Sequence, residues 1–351
     1  MAIESRVTLR DIAKRLGVSH ATISLALKNH PNISQRRKEE VQRVAKEMGY
    51  RPDPALSSLI AYRRGRKEIP IRSSIAWINH AENPAQVRKY KEFEAYWQGA
   101  TESAERFGYH LDELIWPRNC TPERFEKIMF TRGIRGILIP PHSTQPDWGD
   151  FHWENFSVIR FGLSVRSPDS HVVTSDQMRM VMRAMEKIHG YGYRRIGFAI
   201  SSDFDLAVGG TFSGGYLVSQ NMLKLSPKLP LLLTDSRTFR EKPAKAFQEF
   251  ESWYRKYKPD AIVTAIPETL KFLKRMGLSI PRDVAVAGTS VSDLPLTAGI
   301  NQNSVEIGRV AAETLVALIN ANDRGEPSAP RRILVEGFWQ DGDSLPNPKR
   351  A

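Results

Sequence analysis

Hydrophobic residues in the first fifty positions recur at helical spacing in three short stretches. The first stretch predicts a helix over 9–16, because Thr8 followed by Asp11 has the spacing of a capping box and Gly17 stands after the last apolar position. Its apolar face consists of Leu9, Ile12, Ala13 and Leu16. Only Gly17-Val18-Ser19 separates this helix from the next one, which is the turn length that a helix-turn-helix requires.

The second and third stretches complete a small three-helix bundle. Ser19 can cap the second helix and Ser34 the third, which ends at Gly49. The inward faces consist of Ile23, Ala26 and Leu27 in the second helix and of Val41, Val44, Ala45 and Met48 in the third. Hydrogen-bonding side chains near the start of the second helix face outward, which suits insertion into the major groove of DNA. A basic bundle that binds another protein is the alternative.

A short amphipathic segment follows at 53–62. Asp53 as cap and Pro54 at the first helical position predict about two helical turns, too few to be stable alone. Its apolar side chains are Leu56, Leu59 and Ile60. They have no core to join, so they form either a dimer contact or wedges in a minor groove. Residues 63–72 then form a basic linker to the body at 73–351.

Short apolar runs alternate with helical stretches from residue 73 onward. The predicted strands cover 74–78, 110–115, 136–139, 157–161, 195–200, 228–233, 261–264 and 283–287. The predicted helices cover 90–107, 122–131, 177–189, 244–256, 268–276 and 305–321. This alternation indicates parallel sheets with helices on both faces, and the length accommodates two sheets. The expected fold class is an all-α helix-turn-helix headpiece followed by an α/β domain of two doubly wound parallel-sheet subdomains.

Positive charge is concentrated at the start of the chain. The 351 residues include 51 basic and 39 acidic side chains, a net charge of +12. Residues 1–72 hold 16 basic and 7 acidic side chains, which leaves a net charge of only +3 for the remainder. This asymmetry indicates a polyanion-binding module attached to a larger, nearly neutral globular domain. Phosphate contacts are expected from Arg6, Arg10, Arg36, Arg37, Lys38 and Arg43.

Other residue patterns exclude several classes of protein. The single Cys120 cannot form an internal disulfide, and the chain has neither the apolar stretch of a signal peptide nor a run long enough to cross a membrane. A soluble cytoplasmic protein is therefore expected. The glycine-rich run 209–215 lacks the spacing of a phosphate loop, and neither a nucleophile elbow nor histidines at metal-ligand spacing occur. These patterns indicate a protein that is not an enzyme and requires no metal or cofactor.

Motifs in a fixed register extend through the headpiece to residue 52. They are Val7-Thr8-Leu9-Arg10-Asp11-Ile12-Ala13, Gly17-Val18-Ser19, Ala21-Thr22-Ile23-Ser24, Ile33-Ser34, Val41 and Gly49-Tyr50-Arg51-Pro52. Together they resemble the DNA-binding headpiece of the LacI (lac repressor) family of transcription regulators. The resemblance implies that His20 and Ala21 face major-groove bases and that Leu59 opens a central base step. The DNA-contacting residues that it implies are Thr8, Leu9, Arg10, Ser19, His20, Ala21, Thr22, Ser24, Leu25, Lys28, Ser34, Arg37, Tyr50, Ala55 and Leu59.

The headpiece departs from the family at two of these positions. Leu25 stands where the family often has arginine, and Lys28 stands where it usually has asparagine. Loss of a bidentate arginine contact removes about 1–3 kcal/mol of base discrimination. We therefore expect Leu25 to make an apolar contact, for example to a thymine methyl group, and the operator to differ from those of relatives that keep the arginine.

Further motifs occur in order along the body. They include Gly99, Gly108-Tyr109, Arg135-Gly136-Ile137, Asp176, Gly192-Tyr193-Arg194-Arg195-Ile196-Gly197-Phe198, Gly215-Tyr216, Pro259-Asp260-Ala261-Ile262, Pro281-Arg282-Asp283-Val284, Gln302 and Gly308. These resemble the periplasmic-binding-protein-like effector domain of the same family. The resemblance implies an N-subdomain over about 73–170 and 302–333 and a C-subdomain over about 173–299 and 336–351. It also implies three crossovers, near 169–173, 299–302 and 333–336, and an effector cleft at the carboxyl ends of the strands.

The body departs from the family at positions that hold sugar hydroxyls in relatives. Phe212 replaces an arginine, Ile266-Pro267 replaces an Asn-Asp pair, and Thr289-Ser290 replaces a Phe-Asp pair. A typical monosaccharide effector is therefore doubtful. The side chains expected at the cleft are Asn79, His80, Tyr96, Trp97, Arg160, Asp203, Phe212 and Asp235, and each of them has core or surface packing as its alternative role.

The function expected from these observations is sequence-specific regulation of transcription. A homodimer would bind a pseudo-palindromic operator, with repression as the default outcome and a small molecule related to carbohydrates in the cleft. One alternative is a constitutive regulator whose cleft binds nothing. A solute-binding protein is a further alternative, but a DNA-binding headpiece is not expected in such a protein.

Overall fold

The computed structural model describes residues 9–27, 33–48, 73–80, 90–117 and 119–347. The chain divides into two units, Met1–Ile69 and Pro70–Ala351. The division falls within the predicted linker at 63–72. Both that linker and the predicted helix at 53–62 lie outside the described residues.

The described part of the first unit contains three helices, α1 (Leu9–Leu16), α2 (His20–Leu27) and α3 (Gln35–Glu47). Ile12, Ile23 and Val41 are fully buried where the three helices meet. Leu27 and Met48 lie only at the margin of this core. Helix α1 has the predicted bounds, because its apolar spacing and the following Gly17, at a φ of 64°, are local signals that need no distant contact.

The predicted helix caps differ in outcome. The Ser19 Oγ atom accepts a hydrogen bond from the Thr22 amide at 3.0 Å, as expected of a cap on α2. Ser34 precedes α3 in an extended conformation, but its side chain caps no amide of that helix. The Ser34 backbone carbonyl instead accepts a hydrogen bond from the Lys38 amide in the first turn of α3, at 3.0 Å.

Among the described residues, the N-subdomain is built on a six-stranded, all-parallel sheet in the order β11-β5-β4-β3-β1-β2. Its strands are β1 (Ser73–Asn79), β2 (Tyr109–Ile115), β3 (Gly136–Ile139), β4 (Ser157–Phe161), β5 (His171–Ser175) and β11 (Arg332–Val335). Its helices are α4 (Lys91–Arg106), α5 (Pro122–Thr131) and α12 (Ser304–Ala321), with a short 3-10 turn at Trp153–Asn155. Hydrophobic clusters cover both faces of this sheet.

The C-subdomain repeats this architecture with the order β12-β10-β9-β8-β6-β7, in which only β12 runs antiparallel to its neighbour. Its strands are β6 (Ile196–Ser201), β7 (Leu232–Thr234), β8 (Ala261–Thr264), β9 (Ala285–Gly288), β10 (Gly299–Asn301) and β12 (Phe338–Gln340). Its helices are α6 (Gln177–Tyr191), α7 (Ser202–Ala207), α8 (Thr211–Met222), α9 (Ser236–Glu241), α10 (Pro243–Tyr257) and α11 (Thr269–Arg275).

The crossovers between the two sheets follow Ser175, Asn301 and Val335. The first therefore lies later than the expected 169–173, because residues 171–175 form strand β5 of the first sheet. The third lies at the end of the expected 333–336, because residues 332–335 form strand β11. The second lies at the end of the expected 299–302, since 299–301 is strand β10. Each of these strands is only three to five residues long and carries polar side chains, so its apolar pattern is weak.

Helices α4 and α12 cross at two glycines. A Cβ atom on Gly99 would lie 1.8 Å from the Val305 carbonyl oxygen, and one on Gly308 would lie 2.1 Å from the Tyr96 carbonyl oxygen. Only residues without a side chain allow the two backbones to approach so closely. This contact joins the first long helix of the N-subdomain to the helix that returns the chain from the second sheet.

Within the part of the chain that the structure describes, no helix has the length and apolarity needed to cross a lipid bilayer.

Candidate nucleic-acid interface and cleft

The first turns of α2 present a polar surface beside the headpiece core. His20 and Ala21 are exposed, while Thr22, Ser24 and Leu25 are half-buried. The Ser19 and Thr22 hydroxyls lie 2.8 Å apart, which fixes the start of the helix. The outward side chains thus project from a rigid turn of helix, as a reader of base edges requires. Leu9 packs at the edge of the core.

Cations surround this bundle, and some of them are held by intrahelical ion pairs. Arg37 Nη1 lies 2.7 Å from Glu40 Oε2, and Arg43 Nη1 lies 2.8 Å from Glu47 Oε1. Exposed pairs of this kind contribute about 0–1 kcal/mol, so a phosphate can replace the carboxylate at little cost. Ser34 and Arg36 are exposed at the start of α3.

Several of the expected DNA contacts fall outside the described residues. These are Arg6, Thr8, Lys28, Tyr50, Ala55, Leu59 and the side chain of Arg10.

At the carboxyl edge of the first sheet, two histidines follow the strands β1 and β3. The His80 amide donates to His142 Nε2 at 3.0 Å, so the proton of a neutral His142 ring resides on Nδ1, which donates to the Pro140 carbonyl at 2.8 Å. Burial lowers the pKa of His142 to about 4, and the ring is therefore neutral near pH 7. The His80 ring lies 5.4 Å from the Trp116 ring and 5.1 Å from the Trp148 ring, between centroids.

The other expected cleft residues of the N-subdomain are mostly internal. Asn79 is fully buried, and its amide donates to Glu113 Oε1 at 3.3 Å. The Tyr96 ring stacks on Phe161 at 5.2 Å, and Trp97 packs edge-on against Trp77 at 5.5 Å. In this structure Tyr96 and Trp97 therefore belong to the hydrophobic packing around α4.

Arg160 is buried near the end of β4 and organises the loop that follows. Its guanidinium donates to the carbonyls of Val165 and Ser170 and lies 3.3 Å from Asp169 Oδ1. The Nε atom has no hydrogen-bond partner among the described residues. Most hydrogen-bond donors of the Arg160 guanidinium are therefore bonded to groups of the N-subdomain.

In the C-subdomain the expected cleft residues serve local structure. Asp203 accepts hydrogen bonds from the amide and hydroxyl of Ser236, at 2.8 and 2.5 Å. Asp235 caps α9 and pairs with Arg237, whose hydrogen bond lowers the pKa of the Asp235 carboxyl to about 2. Phe212 lies in the first turn of α8, is only 1% exposed and packs in the hydrophobic core of the C-subdomain.

The structure also identifies a polar contact between the two subdomains that the sequence did not indicate. Glu92, in the first turn of α4, hydrogen-bonds to Ser290 after β9 and to Ser304 at the start of α12. From sequence alone, an acidic residue in the first turn of a helix is explained by the helix dipole. Nothing in the local pattern relates it to a serine 198 positions away.

Comparison with known proteins supports the structural assignment. The model of the lacI family of bacterial regulatory proteins matches residues 8–53, and the model of periplasmic binding protein-like domains matches residues 185–345. The chain belongs to the LacI family. This LacI-family regulator is 25% identical over 341 residues to the HTH-type transcriptional regulator MalR of Streptococcus pneumoniae, across 94% of its own length and 98% of the relative. It is 24% identical over 345 residues to the HTH-type transcriptional repressor CytR of Escherichia coli, across 93% of each chain.

Solved structures of the family share the fold of this LacI-family regulator. The transcriptional regulator CelR, in complex with cellobiose, aligns with a TM-score of 0.57 at 20% identity, over 97% of this chain and 100% of CelR. The lac repressor dimer bound to operator and the anti-inducer ONPF aligns with a TM-score of 0.53 at 14% identity, again over 97% and 100%. The helical headpiece and the α/β domain with two mostly parallel sheets confirm the predicted fold class. The protein is a DNA-binding regulator of transcription.

Proposed function

We propose that this LacI-family regulator is a cytoplasmic repressor that binds a pseudo-palindromic operator as a homodimer. The observation that carries the proposal is the exposed polar start of α2 on a bundle whose core is otherwise closed. A two-fold symmetric protein matches a two-fold symmetric site, with one half-site for each headpiece. No catalytic step, metal or cofactor forms part of this function.

Base reading is assigned to the start of α2. His20 and Ala21 contact base edges in the major groove, and Ser19, Thr22 and Ser24 support that contact. Exposed cations of the bundle, with Arg36 and Arg37 among them, neutralise phosphates and set the register. The remaining proposed contacts are those of Thr8, Leu9, Arg10, Leu25, Lys28, Ser34, Tyr50, Ala55 and Leu59.

The test is selection of bound sequences from random duplex DNA with the full-length protein. Two inverted copies of one half-site are expected, because each subunit presents the same α2 surface. A variant without residues 1–62 is the control and should recover no sequence. A single unrepeated half-site would contradict the homodimer, and no enrichment over the control would contradict specific binding.

Replacing Leu25 by arginine is expected to change the preferred half-site. Arginine can bind guanine bidentately, which adds about 1–3 kcal/mol of discrimination at one base pair. The same selection measures the effect, with the conservative Leu25→Met variant as the control. If Leu25→Arg and the wild type recover the same half-site, Leu25 does not lie at the bases.

The inter-subdomain cleft is proposed to bind a small molecule related to carbohydrates that alters operator affinity. The CelR structure contains cellobiose, and the two chains share their fold over nearly their whole lengths. In this chain the half-buried His80 ring packs against the buried Trp116 and Trp148 rings at the carboxyl edge of the first sheet, where it would contact a ligand. Ligand binding between the subdomains would change their closure and so the spacing of the headpieces.

A panel of sugars and other metabolites should therefore include a compound that raises the melting temperature. A ligand at 100 times its Kd stabilises the folded state by about 2.7 kcal/mol, which is a shift of several degrees. Thermal melting of the full chain with and without each compound measures this shift, and His80→Ala should reduce it.

A constitutive regulator is the second candidate, and two observations favour it. Phe212 and Ile266, which stand where relatives carry polar groups, are both buried in hydrophobic cores. If no compound of a broad panel shifts the melting temperature, the result would support a constitutive regulator over an effector-controlled one.

A further inference from the structure

Glu92 connects the two subdomains through a single carboxyl group. Its side chain lies at the start of α4 in the N-subdomain and is only 4% exposed. Glu92 Oε1 lies 2.5 Å from the hydroxyl of Ser290, in the C-subdomain loop that follows β9. Glu92 Oε2 contacts the hydroxyl of Ser304, the first residue of α12. The carboxyl group therefore spans the boundary beside the second crossover.

A second carboxyl group faces the same place. Asp293 lies in the loop of Ser290, is half-buried, and accepts a hydrogen bond from the Glu92 backbone amide at 3.4 Å. Lys91 lies beside Asp293 and offsets part of its charge. The phenol of Tyr96, one turn along α4, and the hydroxyl of Ser292 also lie near Glu92.

The protonation state of Glu92 decides whether this contact is favourable. Burial, reinforced by the charge of Asp293, raises the pKa of Glu92, while the serine hydroxyls oppose that shift. Burial likewise raises the pKa of Asp293. The Ser290 and Ser304 hydroxyls both donate to Glu92, and a neutral Glu92 keeps these contacts without burying a charge. An ionised Glu92 incurs a desolvation cost and repels Asp293, and separation of the subdomains would return it to water.

We propose that Glu92 is a proton-dependent latch, which holds the two subdomains together through Ser290 when it is protonated and releases them when it ionises. The latch itself concerns only the closure of the body. Its effect on DNA rests on the proposed function, in which closure of the cleft sets operator affinity.

Stability should depend on pH in a defined direction. A group whose folded pKa is raised stabilises the fold below its unfolded value, here 4.5, and that contribution is lost as the pH rises through the folded value. The melting temperature of the full chain should therefore fall above pH 4.5 more steeply in the wild type than in Glu92→Gln, which keeps a neutral hydrogen-bonding group. Glu105→Gln, on the same helix but exposed, is the matched control and should retain the wild-type slope.

Closure is measured separately by a distance between the subdomains. Spin labels at Lys127→Cys on α5 and Lys271→Cys on α11, both exposed, report one distance in a Cys120→Ser background. Labelled chains are diluted with unlabelled chains so that distances between copies do not contribute. The distance should lengthen as the pH rises above 4.5 in the wild type and in Glu105→Gln, and remain constant in Glu92→Gln.

Each outcome has a distinct meaning. If the distance is independent of pH in the wild type, or changes equally in Glu92→Gln, the latch does not exist. If Glu92→Gln does not fold, Ser290→Ala takes its place, since it removes the contact across the boundary and should lengthen the distance already at pH 4.5. A pH-dependent distance with unchanged operator affinity would support the latch and contradict the coupling of closure to DNA binding.

Discussion

Raising the salt concentration from 50 to 200 mM is expected to weaken operator binding by about a thousandfold or more. A protein that makes six to ten phosphate contacts releases a matching number of condensed counterions, and each released ion makes binding more sensitive to salt. The headpiece region carries 16 basic against 7 acidic side chains, and two headpieces bind each operator in the proposed dimer. Titration of a labelled operator at several salt concentrations gives the slope of log Kd against log salt.

A matched pair of charge variants tests the origin of that slope. Arg36 is exposed at the start of α3, so Arg36→Gln should reduce the slope by about 1 for each subunit and weaken binding to all sequences alike. Lys271→Gln removes the same charge from the exposed surface of α11 and should leave the slope unchanged. A plot of log Kd against log salt that is flat for the wild type would contradict the phosphate-contact model. Equal slopes for the two variants would mean that Arg36 does not contact a phosphate.

The substitution Gly99→Ala is expected to destabilise the N-subdomain by about 3 kcal/mol, the upper end of the range for overpacked cores. The added methyl carbon would lie 1.8 Å from the Val305 carbonyl oxygen, a backbone atom that cannot rotate away. Helices α4 and α12 would have to separate, and both pack on the same face of the first sheet. Urea unfolding of the full chain, followed by tryptophan fluorescence, measures the loss.

Gly190→Ala is the control for this change. Gly190 lies near the end of α6 with open space around its would-be Cβ, and its φ is not positive. Alanine there should be neutral or stabilise the protein by about 0.5–1 kcal/mol, since it favours the helix. Unchanged unfolding of Gly99→Ala would mean that α4 and α12 are not in backbone contact at this position.

The sequence determined the headpiece helices because their signals are local. The apolar spacing of α1, the glycine after it and the Ser19 cap of α2 each act within one or two helical turns. The charge asymmetry is likewise a property of the chain, and so are the motifs that resemble the LacI family. The main strands and long helices of the body were predictable for the same reason, because each has its own apolar period.

The short strands were not predictable in this way. Strands β5, β10, β11 and β12 have three to five residues each, with polar or exposed positions, and exist because neighbouring strands supply their hydrogen bonds. The helix at Thr211–Met222 was missed because its glycine-rich start resembles a loop. The position of the first crossover depended on β5, so it also could not be placed from the sequence.

By itself, then, the sequence determined the DNA-binding headpiece, the α/β class of the body and the family. Only the tertiary structure decided which polar side chains meet. It placed Phe212 and Tyr96 inside hydrophobic cores, and it brought Glu92 onto a serine 198 positions away. The physical reason is range: periodicity and capping act between near neighbours, whereas burial and hydrogen bonding between subdomains depend on how two sheets pack around their crossovers.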